Sequence, residues 1–138
     1  MKVLGLDIGS KRIGVAISDA LGVIAQSLLV LDRKEDEKTL KDLERIVLEK
    51  EVKEIVVGLP LNMDASHGPQ AKGAAAFADI LREKLNIPVT LWDERMSTME
   101  VERVMIQGGA SRAKRKQKID KLAAQIILQN YLDAHRNK

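Results

Sequence analysis

Three carboxylates in this chain stand where acidic residues contribute little to stability. Asp7 ends a short apolar segment, Glu94 follows a second one, and Asp120 opens an apolar helical pattern. A carboxylate at a strand end or on the inner face of a helix is costly without a partner. Oxygen ligands suit Mg²⁺ or Mn²⁺, and such ions promote phosphodiester hydrolysis by activating water and stabilising the leaving oxygen. The three acids therefore predict a metal-binding cluster that acts on phosphates.

Two of these positions have ordinary alternatives. Asp7 lies between Gly5 and Gly9, which lets a ligand approach, but an Asp also begins turns by accepting nearby backbone N–H groups. At the second position both Asp93 and Glu94 are candidates, and acids before a helix also favour its dipole. Spacing alone leaves the choice between Asp93 and Glu94 open.

Asp120 is the most informative of the three acids. At about 100° per residue, it falls inside an apolar arc, between Ile127 and Tyr131. The opposite side of this helical pattern is polar, with Lys118, Lys121, Gln125 and Gln129. The alternative is a half-buried acid in the first helical turn. A cation shared with other acids explains the position better.

Positive charge is concentrated in one segment, 111–121. The chain carries a net charge of +3, but residues outside this segment sum to −2. The segment predicts a local contact for a polyanion, although a solvated, mobile loop is the alternative. With only one Phe, one Trp and one Tyr, base stacking is not expected to be the main source of affinity. The basic residues upstream of Asp120 are Arg112, Lys114, Arg115, Lys116 and Lys118.

The hydrophobic pattern predicts an α/β fold in one domain, residues 1–138. Alternating and buried-strand patterns give two successive hairpins, followed by strands that alternate with helices and so pair in parallel. The predicted order is βββαβαβαα, with the first three strands antiparallel. Strands are expected at 2–8, 12–19, 23–31, 54–58 and 87–92. Helices are expected at 35–51, 70–85, from a capping box at 97–100 to Gly108, and from about 118 to 135 after a basic loop.

Several classes of protein are excluded by composition. No apolar run approaches the roughly 18 residues of a membrane span, and no signal-peptide pattern is present, so we expect a cytoplasmic protein. There are no cysteines, hence neither a disulfide framework nor a thiolate site. His67 and His135 are too few and too far apart for a histidine-rich zinc site.

Four motifs follow one another along the chain: 6–9 (Leu-Asp-Ile-Gly), 58–64 (Gly-Leu-Pro-Leu-Asn-Met-Asp), 93–98 (Asp-Glu-Arg-Met-Ser-Thr) and 118–124 (Lys-Ile-Asp-Lys-Leu-Ala-Ala). Together they resemble the YqgF-type proteins, a family of Holliday junction resolvase-like and pre-16S rRNA nucleases. The match covers nearly the whole chain. It departs at Ala65, where the family often has Gly, and at Ser97, where it often has Thr.

The resemblance implies an RNase H-like fold with a five-stranded mixed sheet flanked by helices. It also implies that Asp7, Glu94 and Asp120 are catalytic, metal-binding acids for one or two Mg²⁺ or Mn²⁺ ions, which favours Glu94 over Asp93. The implied activity is maturation of the 5′ end of 16S rRNA in the bacterial cytoplasm, with pre-rRNA or the ribosomal particle as partner. Expected substrate contacts are Gly9, Lys11, Asn62, Arg95 and the five basic residues that begin with Arg112.

Three other functions are consistent with the same residues. A junction resolvase would cut four-way DNA and need two sites, hence a dimer, and the sequence is compatible with a monomer or a weak homodimer. The turn after Asp7, with Gly9 and Lys11, also resembles the phosphate-binding turn of actin-like ATPases and sugar kinases, which predicts a nucleotide-binding module. A third alternative is a non-catalytic RNA-binding protein.

Overall fold

The protein is built around a five-stranded mixed sheet in this computed structural model. The structure describes residues 1–60, 64, 66–93 and 112–136. Within 112–136, side chains are described for residues 122–135. The strands are β1 (Lys2–Ile8), β2 (Arg12–Ser18), β3 (Ala25–Asp32), β4 (Val52–Leu59) and β5 (Val89–Asp93). The helices in the described part are α1 (Asp36–Glu49), α2 (Pro69–Leu85) and α3 (Arg112–Arg136). The helix predicted from 97 onward lies outside the described residues.

The strand order in the sheet is β3-β2-β1-β4-β5. The first three strands pair antiparallel, whereas β4 pairs parallel with β1 and β5 pairs parallel with β4. This arrangement confirms the predicted mixed sheet with an antiparallel first half. Because β1, β4 and β5 are parallel, their carboxyl ends meet at one edge of the sheet, where ligands of such folds gather.

Both faces of the sheet are covered by helices. On one face, Leu4 and Leu6 of β1 belong to a cluster with Leu43 of α1 and Phe77 of α2. On the other face, Val3 packs in a cluster with buried residues of α3, including Ala124, Ile127 and Leu128. Alternate β1 residues therefore face α3, as the two-residue period of a strand requires. None of the described helices meets the length and hydropathy needed to cross a membrane.

Helix α3 begins earlier than its sequence pattern indicates. We predicted a basic loop followed by a helix from about residue 118, but the helix starts at Arg112, so this boundary was wrong. Residues 112–118 consist of Arg, Ala, Lys and Gln, which are all strong helix formers. The sequence of these turns lacks the apolar periodicity that was used to place the start of the helix.

Two glutamines of α3 also differ from the prediction. Gln125 and Gln129 were expected on the polar side, yet both bond to β3. The Gln129 amide accepts from the Ala25 N–H at 2.8 Å and donates to the Val23 carbonyl at 2.9 Å. The Gln125 amide accepts from the Ser27 hydroxyl at 2.8 Å. Gln129 therefore satisfies backbone groups at the start of the edge strand β3, whereas Gln125 bonds to a side chain of that strand.

Close contact between β1 and α3 depends on Gly5. A Cβ at this position would lie 2.7 Å from the Leu128 Cβ and 3.3 Å from the Ala124 carbonyl oxygen. We expect Gly5→Ala to lower the free energy of unfolding by about 1–3 kcal/mol, as overpacked cores do, measured by urea unfolding. The control is Gly73→Ala on the exposed side of α2, where a Cβ would meet nothing within 4 Å. That change should stabilise by up to about 1 kcal/mol, and equal stability of both variants would contradict the close packing.

Candidate active site

Asp7 lies near the carboxyl end of the central strand. It is the penultimate residue of β1 and is partly exposed. Because Val3 and Gly5 contact α3, the strand period places the Asp7 side chain on the same face. The carboxylate therefore faces the helix that carries Asp120, at the edge where the parallel strands end.

Glycines stand beside Asp7 on both neighbouring strands. Asp7 pairs with Gly14 of β2. On the other side, Leu6 pairs with Val57 of β4, so the next residue of that strand, Gly58, lies beside Asp7. Both glycines are buried in the sheet and have no side chain to fill the space beside the carboxylate. Glycines in strands often mark a site where a ligand or another backbone approaches closely.

Strand β5 distinguishes the two acids that the sequence left open. Leu91 packs with the α1–α2 cluster, whereas Trp92 packs with the α3 cluster. By alternation Asp93, which is exposed, points away from the face of Asp7. Asp93 is thus a poor partner for Asp7, while Glu94 follows at the next position, outside the described residues.

The position of Asp120 follows from the direction of α3. Tyr131 reaches β4 at Glu54, the residue paired with Val3, and Leu128 and Ala124 cover Gly5. Helix α3 therefore runs antiparallel to β1, and its earlier turns lie toward the carboxyl end of β1. Asp120 is four residues, or about one turn, before Ala124. Its helical backbone is described, whereas its side chain is not.

The predicted site residues divide into three groups. Asp7, Gly9 and Lys11 are described in full and lie together at the end of β1. The basic residues from 112 to 118 have their backbone in the first turns of α3, and Asn62, Glu94 and Arg95 lie outside the described part. Within the described side chains, no group of three or more acids or histidines is placed to hold a metal ion. The three-acid cluster remains a prediction.

The turn between β1 and β2 is built around Gly9. The Gly9 N–H donates to the Arg12 carbonyl at 2.8 Å, and a Cβ on Gly9 would lie 2.6 Å from that oxygen. Only glycine fits this turn without displacement of the backbone. Lys11 is exposed at the tip, so its ammonium group is available to a ligand at the sheet edge.

Sequence reasoning missed Arg33, which forms hydrogen bonds to this turn. Its guanidinium donates from Nη1 to the Gly9 carbonyl at 2.9 Å, and its backbone N–H donates to the Lys11 carbonyl at 2.8 Å. Arg33 stands in a run of charged residues after β3. Nothing in that pattern distinguishes it from its solvated neighbours.

An aromatic cluster of Trp92, Tyr131 and His135 joins the edge strand β5 to α3. The Trp92 and Tyr131 rings meet edge to face with centroids 5.4 Å apart, and the His135 ring lies 4.1 Å from Tyr131. The Tyr131 hydroxyl donates to Glu54 Oε2 at 2.5 Å. These contacts hold the carboxyl end of β5, which leads into Glu94, against the helix that carries Asp120.

The Tyr131 hydroxyl provides a direct optical test of this cluster. Burial, together with the hydrogen bond to Glu54, raises the Tyr131 pKa to about 12. Because Tyr131 is the single tyrosine, tyrosinate absorbance should have its midpoint near pH 12 in the native protein and near about 10 in urea.

The raised Tyr131 pKa also has a consequence for stability. The folded state retains the proton longer, so this contribution is full below about pH 10 and is lost as the pH rises toward about 12. Glu54→Gln should move the native midpoint downward. A native midpoint near 10 would contradict the buried hydrogen bond.

Comparison with known sequences finds a family and close relatives. The family model described as RuvX, Holliday junction resolvase, matches residues 1–134. A pre-16S rRNA nuclease, by name, of Thermoanaerobacter pseudethanolicus is 50% identical and covers 100% of both chains. A second, from Caldanaerobacter subterraneus, is 52% identical over 99% of both chains. The similarity therefore extends over full-length proteins.

Solved structures share the fold at low sequence identity. RuvC of T. thermophilus in complex with a Holliday junction superposes with a TM-score of 0.59 at 15% identity, over 99% of this chain and 96% of that one. The fowlpox virus resolvase bound to junction DNA gives 0.57 at 14% identity, over 97% and 98%. These likenesses confirm the RNase H-like architecture predicted from the sequence.

Proposed function

Since the chain belongs to the RuvX family of Holliday junction resolvases, we propose that it is a metal-dependent nuclease acting on precursor 16S rRNA. The observation that carries the proposal is Asp7, a partly exposed carboxylate between two glycines at the carboxyl edge of the sheet. The relatives named pre-16S rRNA nucleases, about half identical over their full length, support RNA as the substrate. The proposed setting is the cytoplasm, with the ribosomal particle as a partner.

The residues at the edge fit a divalent cation. Asp7 offers carboxylate oxygens, and Gly14 and Gly58 leave space beside them. We propose Glu94, which follows β5 in the chain, and Asp120, one turn before Ala124, as the other two ligands. An all-oxygen set of this kind suits Mg²⁺ or Mn²⁺.

The chemistry divides between the ions and the chain. Bound ions of this type lower the pKa of a coordinated water and stabilise charge on the leaving oxygen. The three carboxylates would hold the ions, and so would orient the reaction without attacking the phosphate themselves. Gly9 and Lys11 of the turn, with Asn62 and Arg95, bind the phosphates on either side of the scissile bond.

The first turns of α3 provide the electrostatic attraction. Their sequence carries a cluster of Arg and Lys near the start of the helix, where the helix dipole is positive. Such a cluster is unfavourable for the helix alone and favourable when a polyanion binds. Contacts of this type position the nucleic acid without reading its bases, so the shape of the precursor must define the target.

Cutting of four-way DNA junctions is the second candidate, because the family description names junction resolvases. A resolvase cuts two strands symmetrically and needs two copies of the site. We expect a monomer, or a homodimer too weak to persist on size-exclusion chromatography. A stable dimer in solution would favour the junction substrate.

The test compares both substrates in one assay. Purified protein is incubated with an end-labelled RNA that spans the 5′ boundary of 16S rRNA, and separately with a four-way DNA junction, in Mg²⁺, Mn²⁺ or EDTA. We expect metal-dependent cleavage of the RNA at a discrete position and no symmetric nicking of the junction. Cleavage of the junction alone would support the second candidate, and no cleavage of either would reject a nuclease.

A further inference from the structure

We propose that Arg33 is a positioning residue that holds the β1–β2 turn in the shape that receives a substrate phosphate. This inference rests on the proposed function, because it assigns a phosphate contact to Gly9 and Lys11. Arg33 lies 24 residues from Gly9 in sequence. It follows β3, and no motif of the sequence singles it out.

Two hydrogen bonds connect Arg33 to the turn itself. Nη1 donates to the Gly9 carbonyl at 2.9 Å, and the backbone N–H donates to the Lys11 carbonyl at 2.8 Å. The two acceptors bracket the tip of the turn. Because the turn begins two residues after Asp7, a shift of the Gly9 carbonyl also changes the approach to the carboxylate.

The rest of the guanidinium is anchored on the α1–α2 face. Nε donates to Asp36 Oδ1 at 3.0 Å at the start of α1, and the guanidinium carbon lies 5.1 Å from the centroid of the buried Phe77 ring on α2. The Arg33 side chain is 19% exposed, against 57% for Asp36. The guanidinium is therefore fixed by the protein and stacked on an aromatic ring, as arginine prefers.

A planar guanidinium is required to satisfy these partners together. It presents donors in a rigid fork, so one nitrogen reaches Gly9 while another reaches Asp36. A lysine at this position keeps the charge but has a single ammonium on a flexible stem. Arg33→Lys should remove the side-chain bond to the Gly9 carbonyl while it keeps the positive charge and the backbone bond to the Lys11 carbonyl.

Arg82 supplies a matched control in the same chain. Its Nε and Nη2 donate to the Val89 carbonyl at 3.1 and 2.9 Å, and its Nη1 donates to Asp79 Oδ1 at 2.5 Å. Like Arg33, it donates hydrogen bonds from its guanidinium to both a backbone carbonyl and an aspartate. Val89 begins β5, so this contact lies at the opposite end of the sheet from the turn.

The experiment measures KM and kcat for precursor RNA cleavage, with saturating Mg²⁺, for the wild type and the Arg33→Lys, Arg82→Lys and Lys11→Ala variants. Urea unfolding of each variant reports stability. We expect Arg33→Lys to raise KM about tenfold, the effect of one charge-assisted hydrogen bond, with kcat within about twofold, because the turn binds substrate and transition state alike. Arg82→Lys should lose similar stability without a change in KM.

Each of the other outcomes contradicts a specific part of the inference. An unchanged KM for Arg33→Lys, with a raised KM for Lys11→Ala, rejects the positioning role and leaves the proposed function intact. Equal KM increases for Arg33→Lys and Arg82→Lys assign Arg33 a structural role only. An unchanged KM for Lys11→Ala shows that the turn does not contact the substrate, and the inference then fails with that contact, while cleavage by the wild type keeps the nuclease assignment.

Discussion

Asp7→Asn should abolish RNA cleavage while the protein remains folded and still binds RNA. The amide retains the size of the carboxylate and one acceptor oxygen, but it removes the negative charge that a divalent ion requires. Loss of a residue that forms a hydrogen bond to a metal ligand usually costs about 10–100-fold in metal affinity or activity. Loss of a direct ligand should therefore lower kcat/KM by more than about 100-fold.

Asp19→Asn is the matched control for this prediction. Asp19 accepts the Val23 N–H at 2.7 Å in the turn between β2 and β3, at the opposite end of the sheet from the carboxyl edge. Backbone hydrogen bonds, that of Val23 foremost, hold the Asp19 pKa below its usual value. Its substitution should leave cleavage unchanged.

The two measurements for these variants are product formation with labelled RNA and RNA affinity from fluorescence anisotropy. Normal cleavage by Asp7→Asn would exclude the metal mechanism. Lost binding with intact folding would instead make Asp7 a substrate contact.

Most of the fold followed from sequence periodicity. The apolar runs of β1 and β4 and the alternation in β2 reflect how deeply each strand is buried, and burial is what periodicity records. The parallel half of the sheet followed from the helices between strands, since such crossovers have few topologies. The predicted helix 70–85 agrees closely with α2, whose C-cap Asn86 has the left-handed backbone conformation, φ 56°.

The features that sequence did not predict are polar contacts between distant segments. Gln129 bonds to the backbone of Val23 and Ala25 more than a hundred residues away, and Arg33 bonds to Gly9. Exposed and backbone-bonded polar side chains have the same hydropathy, so a pattern cannot separate them. The early start of α3 was missed for a related reason, because the sequence of its first turns has high helix propensity but no apolar periodicity.

The candidate site shows the same division. Asp7 could be placed because strand ends and flanking glycines are visible in the sequence. Spacing did not separate Asp93 from Glu94, and only the resemblance favoured Glu94; in the sheet, Leu91 and Trp92 pack on opposite faces. Two-residue alternation then directs Asp93 away from Asp7. Spacing in the sequence shows which residues share a face of the strand, but not which helix each face contacts. That information comes only from the packing partners in the structure.

Neutralising the first turns of α3 should weaken RNA binding by about a hundredfold or more at low salt. The variant replaces Arg112, Lys114, Arg115 and Lys116 with Gln, which is also a strong helix former, so the helix is expected to persist. Lys118 is kept because it lies two residues before Asp120 in the chain. The expected loss arises because each phosphate contact releases condensed counterions on binding.

The salt dependence of affinity tests whether those four residues contact phosphates. Each lost contact should reduce the slope of log K against log salt by about 0.7–0.9, so the total reduction should approach about 3. The control replaces four exposed lysines with Gln, Lys38, Lys41, Lys50 and Lys53, which changes the net charge equally. A general charge effect would weaken both variants alike, whereas direct contact lowers the slope for the α3 variant alone. Because α3 runs antiparallel to β1 and Asp120 follows the basic turns in the chain, we expect RNA that is bound by those turns to extend toward Asp7.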